Sequence, residues 1–284
     1  MLLKLRDHQF DLEQRSLVMG ILNRTTDSFF DHGEYFELDA FLSRAERLVE
    51  EGADILDVGG VKAGPGPEIS ETEELDRVIP AIELLRARFD VALSVDTWNA
   101  RVIEEAMKAG ASLGNDISGF GSPGYLESVA KYGGAVVATH IRLVPRVADP
   151  NPVYQHLKGE VKQFLLDRVK KAVGVGVLPE SILVDAGFDL GKTTVQSMEL
   201  LLSTHELCSL GYPVLISASN KGFVGEVLGK TISERRTGSL SAAAIGAVQG
   251  AKVFRVHDVA GTRQVVDAIA AIAAGYPPAW LPKE

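Results

Sequence analysis

Apolar residues in this chain gather into eight short runs: LVMGILN, ADILDVGG, VALSVDT, ASLGNDIS, AVVATH, SILVDAG, PVLISAS and KVFRVHD. Short apolar runs bounded by turn formers and separated by helical patterns read as strands buried on both faces of a parallel sheet. Helical periodicity fills the intervals. It predicts helices from about Glu37 to Glu51, to Phe89, over NARVIEEAMKAG, near Pro123 to Tyr132, and from Gln155 to Val173. Three more are expected near Thr194–Leu210, Glu234–Gln249 and Gly261–Ala273. Ser70-Glu71-Thr72-Glu73 has the form of a capping box, in which Ser at N-cap and Glu at N3 satisfy each other's backbone donors. Eight strand–helix units, spanning about residues 17–273, predict an α/β fold: a single (β/α)8 TIM barrel over residues 1–284. A doubly wound open sheet is the runner-up, and the count of eight favours the barrel.

Each run closes on polar or charged side chains, among them Asn23, Asp57, Asp96, Asn115, Asp116, His140, Asp185, Ser219, Arg255 and His257. Right-handed crossovers bring such tips to one face, and in this fold the site lies there. A single Asp at a strand end ordinarily caps the next helix, and Asp96-Thr97 before NARVIEE fits that role. Asp57, Asp96 and Asp185, however, lie inside apolar runs on different strands. Closing the barrel gathers three carboxylates near one cavity, where uncompensated charge is expensive. Lys221, Arg255 and His257 supply donors from the last two strands, and a heterocycle rich in N–H groups would satisfy the rest.

Composition narrows the field. The chain has 284 residues, 46% of them hydrophobic, and a formal charge of -9. That is enough apolar matter for a sizeable core, and it argues against a nucleic-acid partner, which wants a basic face. A single cysteine, Cys208, reads as a packed thiol in a reducing compartment. The charged start MLLKLRDHQFDLEQR is neither signal peptide nor anchor, and no run has the length of a membrane span. The expectation is therefore a cytoplasmic protein with no membrane partner. Residues 141–153 carry three prolines and read as a loop at the barrel mouth. Gly191-Lys192-Thr193 meets half of a phosphate-loop motif, but Ala186 stands where the first glycine belongs. Gly187 and a helix start after Lys192 still suit an anion-friendly turn. The glycine-rich stretches GGVKAGPG and NKGFVGEVLG read as loops in which backbone approaches a ligand, with Lys62 and Lys221 adding positive charge. No HxH or HExxH spacing points to a held zinc; Mg²⁺ accompanying a pyrophosphate is more natural, with Asn23 as an oxygen ligand.

MGILNRTTDSF, LDVGG…GPG, SVDT, NDISG, the His140 tip, LVDAG…GK, SASNK and RVHDV stand in the order and near the spacing of the dihydropteroate synthase family. Any one piece is weak, but eight ordered pieces over residues 17–270 are specific. The resemblance implies a pterin-binding barrel that joins 6-hydroxymethyl-7,8-dihydropterin pyrophosphate to p-aminobenzoate in folate biosynthesis. It implies that Asp96, Asn115, Asp185 and Lys221 hold the pterin and that Arg255 stacks on it. With His257, Arg255 would contact the pyrophosphate, and Asn23 would help bind Mg²⁺. In such a reaction pyrophosphate leaves first, Asp185 stabilises the electron-deficient pterin, and the amine then attacks. The resemblance also implies a homodimer through outer helices near the C-terminus.

The departures are lopsided. The first loop of the family reads Asn-Val-Thr-Pro-Asp-Ser-Phe, whereas Arg24 and Thr26 stand here in place of the valine and proline. The family's Gly-Gly-Glu-Ser-Thr-Arg-Pro-Gly becomes Gly-Gly-Val61-Lys62-Ala63-Gly64-Pro-Gly, losing an arginine that lysine cannot replace as a bidentate donor. Leu190 stands where a phenylalanine would pack on the aminobenzoate ring, Asp189 adds negative charge, and Asn220 replaces an arginine. The pterin cradle is intact and the second-substrate loops are altered. The chain thus resembles a divergent second-paralogue group with a GGVKAGPG-type loop, which implies weak or lost synthase activity. An active synthase is the alternative. A barrel binding a reduced folate for methyl transfer is a third, disfavoured because it has no use for Asn23, Arg255 and His257 as a pyrophosphate site.

Overall fold

A computed structural model describes residues 1–24, 34–61, 64 and 68–275; of residues 34–37 only the backbone is described. Thr26, Lys62 and Ala63 lie outside the described residues. All eight apolar runs form strands of one closed parallel barrel: β3 (Leu17–Asn23), β4 (Ile55–Gly59), β5 (Ala92–Asp96), β6 (Leu113–Asp116), β7 (Ala135–Thr139), β8 (Ile182–Asp185), β9 (Val214–Ile216) and β10 (Val253–Val256). The strands neighbour one another in chain order, and β10 closes on β3. This is the (β/α)8 barrel; the open sheet is excluded.

Strand parity explains how one sequence pattern builds both core and site. Side chains alternate faces along a strand. One set, including Val18, Leu56, Leu93, Val95, Val136, Val184 and Phe254, packs outward against the helices. The other set fills the barrel axis with Leu17, Met19, Ile55, Ala92, Leu113, Ala135, Val137, Leu183, Leu215 and Val253. Continuing that inward set by twos changes its chemistry. Ile55 leads to Asp57, Ala92 to Ser94 and Asp96, Leu113 to Asn115, Leu183 to Asp185, and Val253 to Arg255. Each strand is therefore apolar at its entry end and polar at its exit end on the same face.

Two elements were not foreseen. An antiparallel hairpin, β1 (Leu2–Leu5) and β2 (His8–Asp11), turns through Arg6 at φ 55°. Its Leu3 and Leu5, with Leu12, join the axial core and plug the entry end. The stretch NKGFVGEVLG, read as a loop, contains the helix α8 (Gly222–Leu228) between β9 and the later helices.

The remaining helices are α1 (Glu34–Glu50), α2 (Glu71–Arg88), α3 (Ala100–Lys108), α4 (Tyr125–Lys131), α5 (Leu157–Gly174), α6 (Thr194–Leu202), α7 (Thr204–Cys208), α9 (Arg236–Val248) and α10 (Val259–Ala274). The single helix expected near Thr194–Leu210 is two, broken at Ser203. The Ser70 hydroxyl does accept from the Glu73 amide, while the Glu73 carboxylate pairs with Arg77. α3 is capped by Asn99 rather than by Asp96 or Thr97, which frees Asp96 for the barrel interior. Among the described residues no helix is long and apolar enough to cross a membrane. Cys208 is a half-buried free thiol packed against the core, and burial pushes its pKa up.

Candidate active site

Register sets the row of tips. Asn23 pairs with Gly59, Gly59 with Asp96, and Asp96 with Asn115, so four adjacent strands present their exit-end inward positions side by side. Gly59 leaves room for its neighbours: a Cβ there would lie 3.2 Å from Asn23 Oδ1 and 3.5 Å from Asp96 Cβ.

Below this row sits Asp57, fully buried, one of the three carboxylates expected to gather near the cavity, though no ligand-binding role was expected of it. One carboxylate oxygen accepts from Ser94 Oγ; the other accepts from Asn115 Nδ2 at 3.3 Å and from Arg255 Nε at 2.6 Å. The Arg255 guanidinium also donates through Nη2 to Asp96 at 2.6 Å. One guanidinium thus bridges two carboxylates at the centre of the floor. Burial works against its charge, but Asp57 and Asp96 hold its pKa above the ordinary arginine value. Asp96 gains less from the bridge. Burial, against the pull of Arg255 and with the push of Asp57, raises its pKa to about 7.

The opposite side of the floor is built by β8 and the start of α8. Asp185 Oδ1 accepts from the Gly187 amide at 2.7 Å, and burial raises its pKa despite nearby Lys221. Lys221, the N-cap residue of α8, donates through Nζ to the Phe188 carbonyl at 2.5 Å. Burial lowers its pKa, opposed mainly by Asp185. Between these halves stands Thr139, the inward end of β7 and the register partner of Asp185. Its hydroxyl oxygen is buried with no hydrogen-bond partner among the described residues. A buried orphan hydroxyl is costly, on the order of 1–3 kcal/mol, unless something else satisfies it.

At the rim, His257 Nδ1 lies 3.0 Å from Ser219 Oγ, and the surrounding protein followed by the guanidinium groups of Arg255 and Arg44 lowers its pKa. Asn23 is exposed beside it in the barrel mouth, its oxygen over Gly59. The structure therefore brings together Asn23, Asp96, Asn115, Asp185, Lys221, Arg255 and His257.

Two strand tips point elsewhere. Asp116 turns outward and accepts from the amides of Ser118 and Phe120. His140 turns outward too, with its ring edge-on to Phe164 at 4.8 Å and its Nδ1 2.8 Å from Lys192 Nζ. Burial followed by Lys192 lowers the His140 pKa to about 3, and burial lowers that of Lys192 to about 7. Lys192 also donates to the carbonyls of Gly187, at 2.8 Å, and Leu190, at 3.2 Å. The anion-friendly turn expected here is a closed clasp. Its lysine is consumed internally, and a Thr193–Gln196 capping box satisfies the start of α6. Gly187, at φ +66°, makes the clasp possible, since a Cβ would sit 1.9 Å from the His140 carbonyl oxygen.

The altered mouth positions are mostly engaged in packing. Arg24 donates to the Arg77 carbonyl at 3.1 Å and lies over the Phe41 ring. Asp189 adopts φ +65° and accepts from the Phe223 amide at 3.3 Å. Asn220, at φ +58°, exchanges hydrogen bonds with Ser239 on α9 and so turns away from the mouth. Gly64 and Leu190 line a mouth cavity.

Comparison with known proteins supplies independent findings. Residues 19–257 match the family described as "Pterin binding enzyme". A dihydropteroate synthase from Haemophilus influenzae is 41% identical over 250 residues, covering 88% of this chain and 91% of that one. A protein named inactive dihydropteroate synthase 2, from Mycobacterium leprae, is 43% identical over 270 residues, covering 93% of each. The crystal structure of a Yersinia pestis dihydropteroate synthase with a sulfonamide drug complex superposes with a TM-score of 0.90 at 40% identity, covering 96% of this chain and 99% of that one.

Proposed function

The chain belongs to the pterin-binding enzyme family, on the dihydropteroate synthase branch of it, and from that premise we propose that its floor binds a reduced pterin while standard synthase activity is weak or lost. One observation carries the binding half. Asp96, Asn115, Asp185, Lys221 and Arg255 converge on one floor, where the Thr139 hydroxyl beside Asp185 has no partner among the described residues. A pterin offers amino and ring N–H donors to the carboxylates and ring nitrogen and carbonyl acceptors to Lys221 and Thr139. Its flat ring suits the guanidinium plane of Arg255.

The weak-activity half rests on the mouth. Leu190 offers no aromatic face, Asp189 is spent on the α8 N-terminus, and Asn220 is turned to Ser239. Loss of one transition-state contact typically costs ~10²–10³ in rate. The 43% identity to the inactive mycobacterial protein supports the reading, and the 41% identity to the Haemophilus enzyme supports a working synthase as the second.

Catalysis, where it survives, would begin with loss of the diphosphate. Arg255 and His257 would stabilise the departing charge, and an arriving diphosphate would favour the proton that burial, followed by Arg255 and Arg44, keeps off His257. Mg²⁺ fits as a companion of the diphosphate. It keeps several waters and prefers oxygen, and Asn23 Oδ1 offers one such ligand in an exposed position beside Gly59. Bound there, it would supply charge neutralisation of the leaving group. Asp185 would then stabilise the cationic pterin methylene before attack by the amine.

A second copy of the chain is the proposed macromolecular partner. Met198, Leu202, Val227 and Leu228 stand exposed on α6 and α8 along a groove of about 560 Å³ floored by α9. Exposed apolar area of this kind suits a homodimer.

The test is an assay of purified protein with dihydropterin diphosphate, Mg²⁺ and p-aminobenzoate, alongside calorimetry with the pterin alone. Pterin binding with turnover far below an ordinary synthase is expected. Turnover near that of an ordinary synthase overturns the weak-activity reading, and absent pterin binding overturns the cradle.

A further inference from the structure

Lys192 ends the turn that follows β8. It is only 7% exposed, and its hydrogen-bond partners are all neutral. Its Nζ lies 2.8 Å from His140 Nδ1 and donates to the carbonyls of Gly187 at 2.8 Å and Leu190 at 3.2 Å. A buried ammonium without a carboxylate costs stability. A buried polar network fixes one geometry when all its members are satisfied, and here they are satisfied in either protonation state. As an ammonium, Lys192 donates to the ring nitrogen and to both carbonyls. As a neutral amine it accepts from Nδ1–H and still donates twice. Burial lowers its pKa to about 7 and that of His140 to about 3, so the clasp survives loss of the lysine proton.

The other end of the clasp is firmly seated. The His140 ring meets Phe164 of α5 edge-on at 4.8 Å, and its amide donates to the Asp185 carbonyl at 3.0 Å. The end of β7 thus holds the exit of β8 directly, and through Lys192 it holds the turn beyond. That turn needs holding. Gly187, Asp189 and Gly191 stand at φ +66°, +65° and +67°, a left-handed conformation that is unfavourable for a side chain such as that of Asp189. Lys192 ties the backbone at Gly187 and Leu190, on either side of Phe188, and the Tyr154 hydroxyl ties it again at the Gly191 carbonyl.

Two groups of the floor take their positions from this backbone. The Gly187 amide donates to Asp185 Oδ1 at 2.7 Å, and the Phe188 carbonyl accepts from Lys221 Nζ. Lys192 reaches both at one remove. It grips Gly187, whose amide orients the carboxylate, and it brackets Phe188, whose carbonyl orients the ammonium.

We propose that Lys192, clasped to His140, is a positioning residue for ligand recognition on the floor: it sets the Gly187–Phe188 backbone from which Asp185 and Lys221 are aimed. The inference rests on the reading of the floor as a pterin site, and it adds two side chains that lie outside that site.

The test is calorimetry of the full chain with 6-hydroxymethyl-7,8-dihydropterin, with urea unfolding to confirm that each variant is folded. Lys192→Met is expected to weaken the pterin about tenfold. The loss should persist in an Asp96→Asn background, across the floor. In an Asp185→Asn background it should shrink to about threefold or less, because the carboxylate that Lys192 aims is already gone. A merely structural lysine would give the same loss in both. His140→Leu and His140→Asn repeat the test from the other end of the clasp, should Lys192→Met not fold. Leucine should weaken the pterin about tenfold, and asparagine, which returns an acceptor near the Nδ1 position, should recover most of that loss. Unchanged affinity in Lys192→Met, equal losses in the two backgrounds, or asparagine no better than leucine overturns the proposal and leaves the pterin site standing. Absence of pterin binding by the unsubstituted protein overturns the floor reading, and the proposal with it.

Discussion

The floor and the mouth of this barrel spend their polar side chains differently. On the floor, Asp57, Ser94, Asp96, Asn115 and Arg255 come from four strands and bond to one another across the axis. Even so, the Thr139 hydroxyl has no partner among the described residues. At the mouth, polar groups serve the backbone. Asp189 receives the Phe223 amide, Asn220 meets Ser239, and Lys192 is consumed by carbonyls and His140. A network of side chains joined across the barrel axis lines a cavity, whereas a network closed on its own main chain stabilises a shape. The same residue types therefore carry different meanings according to whether their partners are side chains facing a cavity or their own loop.

The comparison breaks most readily at Arg255. Arg255→Met leaves two buried carboxylates uncompensated and is expected to lower stability by ~3–5 kcal/mol near neutral pH. Urea unfolding at pH 7 and pH 5 checks this, because Asp96, whose pKa is raised to about 7, is protonated at the lower pH and part of the loss should be recovered. Asp185→Asn tests the floor as a ligand site. It should weaken pterin binding by about 10²-fold, the value of a charged hydrogen bond, and calorimetry would reveal a merely structural carboxylate by an unchanged affinity.

The mouth is sharpened by substitution in the opposite direction. Val61→Glu, Lys62→Ser, Ala63→Thr and Gly64→Arg together restore the loop that the resemblance implies for a synthase. Turnover should rise by ~10²-fold while pterin affinity changes by less than about threefold; a shifted pterin affinity would mean that floor and mouth are not separable.

Asp96 gives a pH test with a definite sign. In the folded protein its pKa is raised from 3.8 to about 7, so the folded state holds a proton that the unfolded chain has already lost between those values. Its contribution to stability is present below about 4 and falls away as pH rises through about 7. Asp96→Asn should flatten that fall in a stability–pH profile. The smallest effect is expected from Asn220→Ala. It removes the side-chain bond from Ser239 Oγ, leaves the backbone amide bond to that hydroxyl, and places alanine at φ +58°, costing about 1 kcal/mol. Pterin affinity should not move; a large change there would return Asn220 to the site.

Much of this is legible in the sequence, and particular residues show where that legibility ends. The eight runs gave the strands because burial on both faces leaves an unmistakable apolar signature. Parity within a run was harder. His140 and Asp116 look like tips as much as Thr139 and Asn115 do, yet counting by twos from Val137 and Leu113 selects the latter pair. The same count from Ile55 reaches Asp57, which its apolar run already places at the cavity; that it joins Asn115 and Arg255 depends on contacts between strands that no single run shows. The helix α8 was not legible. Gly222 and Gly225 weaken its local signal, and Gly225 earns its place only from Arg235, which crosses so close that a Cβ would lie 2.2 Å from it. Nothing local announces that contact, nor the hairpin, whose turn runs through Arg6 and Asp7 without a glycine.

The shared guanidinium on the floor has a further consequence for how a ligand arrives. With Asp96 holding a proton up to about pH 7, the bare floor is close to charge balance, and a ligand N–H directed at that carboxylate must displace the proton. Binding should therefore release a fraction of a proton to the solvent near pH 6.5. The heat measured would then vary with the ionisation enthalpy of the buffer, and Asp96→Asn should remove that dependence. In this barrel the ligand's affinity is also a function of the proton activity around it.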